Sequence, residues 1–121
     1  MKIAVDLDNT IDANPKEFQS LMSALQAAGH RVIVLTGNSN DSAIEQDWND
    51  KCKYLTGLGC SSCWDQLTVL AHTNAGNISD EKAKWCTDNG VDILIDNSKE
   101  NAKAATKAGI PLVLVPWATR S

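Results

Sequence analysis

The sequence has little positive charge, no long apolar run and no internal repeat. It carries 11 lysine and arginine residues against 15 aspartate and glutamate residues, for a formal net charge of −4. Nucleic-acid-binding proteins normally present a basic face to the phosphate backbone, so nucleic acid is a possible partner that the charge does not favour. No apolar stretch approaches the roughly 20 residues that span a bilayer, and the chain starts in strand-like sequence without a signal-type leader. These absences predict a cytoplasmic protein without a membrane partner.

The composition is sufficient for a folded core. With 121 residues, of which 43% are hydrophobic, the chain is expected to form a single domain over residues 1–121.

Four cysteines, Cys52, Cys60, Cys63 and Cys86, leave the redox state and metal content open. Cys60 and Cys63 form a CxxC pair, but the second pair that would complete a familiar zinc site is missing. A redox CxxC would begin a helix in a thioredoxin-like context, which this stretch does not clearly offer. Reduced structural thiols are therefore favoured, with a zinc site and a disulfide as the alternatives.

Apolar runs alternate with helix-like segments along the chain. The runs predict strands at 2–7, 30–37, 67–73, 91–97 and 110–117. The segments between them predict helices at 14–29, 38–59, 79–90 and 98–109. The strands are continuously apolar, as expected when helices cover both faces of a parallel sheet. The predicted fold is a three-layer α/β/α sandwich with a five-stranded, parallel, Rossmann-like sheet.

Polar residues follow the carboxyl ends of the predicted strands, which is where ligands bind in such sheets. Asp6 and Asp8 end the first strand, and alternation predicts their side chains on the same side. Carboxylates at the end of a buried strand are costly unless a cation or a reaction requires them. The residues at or near the other strand ends are Thr36, Gly37, Asn38, Lys82 and Asp96.

In this order the strand ends resemble the haloacid dehalogenase superfamily of phosphatases, over essentially the whole chain. "DLDNT" matches the first motif of that family, "VIVLTGN" the second and "ILIDN" the fourth. Lys82 is the better candidate for the third-motif lysine and Lys84 the other. Only residues 11–14 separate the first motif from the first predicted helix. The interval between the second and third predicted strands is filled by one helix and the CxxC loop. The resemblance is therefore to a small member without a cap domain.

The resemblance implies a Mg²⁺-dependent phosphatase that hydrolyses a phosphate monoester. Asp6 would be the nucleophile that forms an aspartyl-phosphate, and Asp8 the general acid and base. Mg²⁺ would be held by Asp6, the main-chain carbonyl of Asp8 and the side chain of Asp96. The phosphate would be bound by Thr36, Gly37, Asn38 and Lys82, the last of which is also assigned to the catalytic set.

Several alternatives stay open at this point. The chain could be a nucleic-acid end-processing phosphatase or a non-catalytic binding or assembly module. Asn97 stands where many relatives carry a second acid, which would lower the affinity for metal. An open site also predicts either a phosphorylated macromolecular substrate or a second subunit that acts as a lid, and hence a possible homo-oligomer.

Overall fold

The computed structural model describes residues 1–37, 44–70 and 78–116. Its strands are β1 (Lys2–Val5), β2 (Arg31–Gly37), β3 (Gln66–Leu70), β4 (Ile93–Ile95) and β5 (Leu112–Leu114). Its helices are α1 (Pro15–Ala27), α2 (Ile44–Gly57), α3 (Ile78–Asp88) and α4 (Lys99–Lys107).

Local sequence explains where the helices α1 and α4 begin and end. Pro15 occupies the first turn of α1, where its missing N–H costs no hydrogen bond. Gly29 follows α1 with φ +91°, a conformation that favours glycine. Ser98 caps α4, because its side chain accepts a hydrogen bond from the main-chain N–H of Asn101.

The five strands form one parallel sheet in the order β3-β2-β1-β4-β5. β1 is the central strand, and Val5 lies opposite Val34 of β2 and Ile95 of β4. The chain moves outward from β1 through β2 to β3 and then crosses to β4 on the other side. The order of the strands therefore reverses between β1 and β4, and a crevice at their carboxyl ends is the expected ligand position.

Two apolar clusters, one on each face of the sheet, form the core. The cluster beside α1 and α2 takes Ile3 and Val5 from β1 and Val32 and Val34 from β2. The cluster beside α3 and α4 takes the alternate residues, among them Ala4, Leu35 and Leu94. Helices thus cover both faces, which explains why the strands read as continuous apolar runs.

The predicted three-layer α/β/α architecture with a five-stranded parallel sheet is confirmed. β1 ends at Val5, two residues before the predicted end, because the chain enters a wide helical turn at Leu7–Ile11. Three predictions fall outside the described residues: the end of the third strand at 71–73, the start of the second helix at 38–43, and Asn38 itself.

Across the described ranges, none of the helices combines the length and the hydrophobicity that a membrane crossing needs.

Candidate functional site

The turn at Leu7–Ile11 places the two carboxylates of "DLDNT" in different environments. Asp8 has extended backbone angles and Asn9 has φ +60°, so the chain changes direction directly after Asp6. The N–H of Asn9 donates to Asp12 Oδ1 at 2.6 Å, which holds the turn closed. Asp6 is 6% exposed, whereas the side chain of Asp8 is 54% exposed.

Lys82 joins the ends of β1 and β4 through two short ion pairs. Its Nζ lies 2.7 Å from Asp6 Oδ1 and 2.9 Å from Asp96 Oδ2, and all three side chains are buried. We call Asp6, Lys82 and Asp96 the buried triad. Lys84, the other candidate lysine, is exposed and pairs with Asp88 within its own helix. One ammonium group between two carboxylates leaves the triad with a charge of −1 when both acids are ionised.

Hydrogen bonds from the neighbouring turn fix the carboxylate of Asp6. Thr10 Oγ1 donates to Asp6 Oδ2 at 3.1 Å. The Asn97 amide, oriented as its partners require, donates from its nitrogen to Asp6 Oδ2 at 3.0 Å and to the Asp8 carbonyl at 3.1 Å. Asn97, which departs from the pattern of the acid motif, is therefore a neutral donor beside the triad. Sequence reasoning assigned no role to Thr10, although it is the threonine of "DLDNT".

Asp96 is held from the start of α4. The N–H of Ser98 donates to its Oδ1 at 2.9 Å, and Asn101 Nδ2 donates to its Oδ2 at 2.9 Å. The amide oxygen of Asn101 in turn accepts from the hydroxyl of Ser79 in α3. Asn101 is buried, although the polar sequence at the start of α4 is typical of a solvated helix face.

Burial and charge shift the ionisation of the triad in defined directions. Burial raises the pKa of Asp6 from 3.8 to about 6; Asp96 adds to the rise and Lys82 opposes it. Burial alone would lower the pKa of Lys82, but the two carboxylates outweigh it and hold that pKa above its usual value. Lys82 therefore remains a cation at neutral pH, and Asp6 is ionised there only at a cost.

Thr36 is the polar residue that the end of β2 brings into the interior. It is 1% exposed, and its Oγ1 has no hydrogen-bond partner among the described residues. A buried hydroxyl without a partner is unusual in a folded protein, because its loss of hydration is not compensated. Gly37 follows, and a Cβ there would lie 3.0 Å from Ile78 Cδ1, so β2 approaches the start of α3 closely.

The oxygens predicted to hold Mg²⁺ are of the right chemical type but already have hydrogen-bond partners. No group of three or more His, Cys, Asp or Glu side chains in the described parts of the chain could hold a metal ion. Mg²⁺ usually keeps several waters and binds through one or two carboxylates and phosphate oxygens. Asp6, Asp96 and the main-chain carbonyl of Asp8 are oxygens of that type, and Mg²⁺ would have to displace donors that they already accept from, such as the Asn97 amide. The side chain of Asp8 is not needed for it.

Helix α2 contacts the turn through two polar side chains. Lys51 Nζ lies 3.4 Å from Asp8 Oδ2, and the hydroxyl of Tyr54 donates to Asp12 Oδ2 at 2.8 Å. We call Asp8, Asp12, Lys51 and Tyr54 the rim. It is more exposed than the buried triad, since Tyr54 and Asp8 are both about half exposed.

All four cysteines are free thiols. Cys60 and Cys63 are buried in the apolar cluster beside α1 and α2, with Cys52 packed against it. Burial raises the pKa of Cys63 to about 12, with Cys60 adding to the rise, and burial raises that of Cys86 to about 11. Their burial among apolar side chains favours the interpretation as reduced structural thiols.

Comparison with known proteins changes the interpretation of this site. No protein-family model matches the sequence, and no curated protein matches it either. The fold matches solved universal stress proteins. One from Archaeoglobus fulgidus in complex with dAMP aligns with a TM-score of 0.62 at 11% identity, over 95% of this chain and 97% of that one.

Two further solved universal stress proteins match at similarly low sequence identity. A universal stress protein in complex with cAMP aligns with a TM-score of 0.59 at 12% identity, over 95% of both chains. A member of that family from Burkholderia pseudomallei aligns with a TM-score of 0.56 at 14% identity, again over 95% of both chains. At these identities the likeness concerns the fold.

These matches overturn the predicted membership of the haloacid dehalogenase superfamily. Four predictions were inferred from that resemblance and are therefore wrong as well. They are the HAD-like fold label, the hydrolase assignment, the aspartyl-phosphate at Asp6 and the alternative of a nucleic-acid end-processing phosphatase. The physical reason is that any doubly wound parallel sheet gathers polar strand ends at one edge. Motifs at those ends do not distinguish one family of this architecture from another.

Proposed function

We propose that this protein binds a nucleotide through its phosphate, together with Mg²⁺, at the carboxyl ends of β1, β2 and β4. The observation that carries the proposal is the buried, unpartnered hydroxyl of Thr36 at the edge of the sheet that also holds the buried triad. The cAMP and dAMP complexes of proteins with this fold support a nucleotide as the ligand.

The charge of the triad requires a cation if a phosphate is to bind. Asp6 and Asp96 together exceed the single charge of Lys82, so the triad by itself repels an anion. Mg²⁺ bound by these two carboxylates and the Asp8 carbonyl would reverse the sign of the local charge. The phosphate would then complete the coordination of the ion.

Thr36 supplies a donor for the same phosphate. In the ligand-free protein its buried hydroxyl is a cost, because nothing compensates for its lost hydration. A phosphate oxygen that accepts this hydrogen bond removes the cost. The ligand would therefore gain affinity from a group that destabilises the empty protein.

Isothermal titration calorimetry with AMP, dAMP, cAMP and ATP, with and without Mg²⁺, tests the proposal. Thr36→Val keeps the shape and removes the hydroxyl. We expect it to weaken nucleotide binding several-fold and to raise the free energy of unfolding by about 1 kcal/mol. A purely structural role of the Thr36 hydroxyl would not weaken nucleotide binding and raise the free energy of unfolding at the same time.

Thr106→Val is the matched control, since the Thr106 hydroxyl donates within α4 to the Ala102 carbonyl and lies near the end of α4, whereas the residues that hold Asp96 lie at its start. It is expected to leave nucleotide binding unchanged. A wild-type protein that binds none of the four nucleotides at millimolar concentration would contradict the proposal.

A further inference from the structure

β5 is an edge strand without a polar side chain to protect it. β4 pairs with one side of β5, and no described strand pairs with the other side. Its residues are Leu112, Val113 and Leu114, and the two leucines are 45% and 44% exposed. The opposite edge strand, β3, instead carries Gln66 and Thr68, whose side chains are hydrogen-bonded to each other. An exposed apolar edge favours pairing with another chain, so β5 indicates a surface that a partner covers.

The open side of β5 presents the main chain of Val113. The hydrogen bonds of Leu112 and Leu114 run to the residues that flank β4. Main-chain groups of successive residues in a strand point to opposite sides, so the N–H and the carbonyl of Val113 point away from β4. Pro111 and Pro116, which lack an N–H, bracket this stretch. The open side can therefore pair with a short extended segment.

A groove of about 470 Å³ lies beside this edge, between α4 and β5. Val113 and Val115 line it from the strand and Ala102 lines it from the helix. Lys103 and Lys107 of α4 complete the lining; both are exposed, and neither forms an ion pair with a residue that the structure describes. The groove thus combines an apolar floor with two uncompensated positive charges, in a chain whose net charge is −4.

We propose that the open edge of β5 and this groove bind an extended peptide of a partner protein in which glutamate alternates with aliphatic residues. The peptide pairs with the main chain of Val113 and continues the sheet beyond β5. This interaction is independent of nucleotide binding, because it uses neither Thr36 nor any residue of the buried triad or the rim.

The spacing of the two lysines gives the sequence pattern of the peptide. Residues i and i+2 of a strand point to the same face and are about 7 Å apart. Lys103 and Lys107 lie one turn apart on α4, which is about 6 Å along the helix axis. Two glutamates at i and i+2 can therefore each meet one ammonium group, while their methylene groups cover Val113 and Val115. The residues between them point to the opposite face of the sheet, where the exposed leucines of β5 contact aliphatic side chains.

A second copy of this chain fits the groove less well than such a peptide. The strand that a second copy would add is β5 itself, which has no acidic residue to pair with Lys103 and Lys107. Antiparallel pairing of two β5 strands about a twofold axis would also place both α4 helices on the same face of the joined sheet. The lysines of the two copies would then face each other across the junction, and like charges in that arrangement oppose association.

Fluorescence anisotropy of a labelled, capped peptide of sequence Gly-Leu-Glu-Leu-Glu-Leu-Gly, titrated with the full chain, tests the proposal. We expect saturable binding that weakens about threefold or more when NaCl is raised from about 50 to about 500 mM, since exposed charges are screened by salt. A peptide of sequence Gly-Leu-Leu-Glu-Glu-Leu-Gly keeps the composition and breaks the alternation. A third peptide with lysine in place of glutamate reverses the charge. Neither control peptide should bind measurably at the same concentrations.

Two substitutions separate the charge contact from the main-chain pairing. Lys103→Gln should weaken peptide binding about fivefold, because a charge-assisted contact is lost. Lys53→Gln makes the same charge change at an exposed position of α2 and should alter binding by less than about twofold. Val113→Pro removes the N–H on the open side of β5 and should weaken binding about tenfold. In the wild type, hydrogen exchange of the Val113 amide measured by NMR should slow when the peptide is added, which tests the pairing without a substitution.

Equal binding of the alternating and the rearranged peptide, equal effects of Lys103→Gln and Lys53→Gln, or unchanged exchange of the Val113 amide would each overturn the proposal. A dimer in sedimentation velocity that does not bind the peptide would assign the edge to a second copy. Tighter binding of a single-stranded oligonucleotide than of the peptide, lost in Lys103→Gln, would assign the lysines to nucleic acid. Both of these results also overturn the proposal, and nucleotide binding is measured separately from all of them.

Discussion

The buried triad and the rim use lysine in opposite ways at the same edge of the sheet. Lys82 is enclosed with two carboxylates at 2.7 and 2.9 Å, in a setting that is already excluded from water. Lys51 reaches a half-exposed carboxylate at 3.4 Å. Buried charges impose a large cost if one partner is removed, whereas exposed pairs contribute little to stability. The comparison separates a lysine that holds two buried strand ends together from one that makes a single long contact with a half-exposed carboxylate.

The largest effect is expected from Lys82→Met. The substitution leaves Asp6 and Asp96 buried without their cation, and we expect the free energy of unfolding to fall by roughly 3–5 kcal/mol at neutral pH. Urea denaturation followed by circular dichroism measures this. Lys84→Met, at an exposed position two residues away, should change little. Similar losses for the two variants would show that the triad does not stabilise the fold.

Asp6→Asn should make the metal-free protein more stable above pH 6. The substitution leaves Lys82 paired with Asp96 as a neutral unit. Burial raises the pKa of Asp6 from 3.8 to about 6, so ionisation of this group destabilises the folded wild type once the pH exceeds 6. That cost is on the order of 2–3 kcal/mol and disappears below about pH 4, where Asp6 is protonated in both the folded and the unfolded chain.

Thermal denaturation in EDTA at a series of pH values checks the sign. The melting temperature of Asp6→Asn should exceed that of the wild type at pH 7.5, and the two should converge as the pH falls towards 4. Added Mg²⁺ should stabilise the wild type more than the variant. A variant that is less stable than the wild type at pH 7.5 would show that the ion pair outweighs burial.

Lys51→Met tests the other half of the comparison with the same kind of substitution. Because the contact with Asp8 is long and the Asp8 side chain is half exposed, we expect a loss of stability of about 1 kcal/mol or less. Urea denaturation of Lys51→Met and Lys82→Met under the same conditions compares the two losses of unfolding free energy directly. A loss as large as that of Lys82→Met would make Lys51 a structural residue and remove the distinction between the triad and the rim.

The smallest effect concerns Tyr54, the single tyrosine of the sequence. Its hydrogen bond to Asp12 raises its pKa. Asp12→Asn should therefore lower that pKa towards the ordinary value, and Asp8→Asn should lower it by less. Absorbance titration of the phenolate reports this group alone. An unchanged pKa in Asp12→Asn would mean that the rim contact between α2 and the turn does not form.

The fold followed from periodicity, whereas details at the strand ends did not. Continuous apolar runs separated by amphipathic segments predicted the parallel sheet covered by helices, because burial on both faces leaves that pattern locally. The end of β1 was placed two residues late, since Asp6 and Leu7 look like the continuation of a strand. The turn that begins there depends on Asn9 at φ +60° and on its contact with Asp12.

The polar residues at the strand ends were predicted one by one, whereas the contacts among them were not. Asp6 and Asp96 were predicted at one edge, and the structure brings them to the same lysine, with Lys82 rather than Lys84 facing them. The family and the activity were wrong, because polar strand ends are common to doubly wound sheets whatever their function.

The sequence by itself determined the architecture, because hydrophobic periodicity and helix caps act over a few residues and can be read locally. Only the tertiary structure decided which cation each carboxylate meets. Asp6 and Lys82 are 76 positions apart, and their contact depends on how α3 crosses the sheet. The burial of Thr36 and the position of Lys51 beside Asp8 depend likewise on packing between distant segments. Charge compensation is a property of that packing, and the sequence alone does not express it.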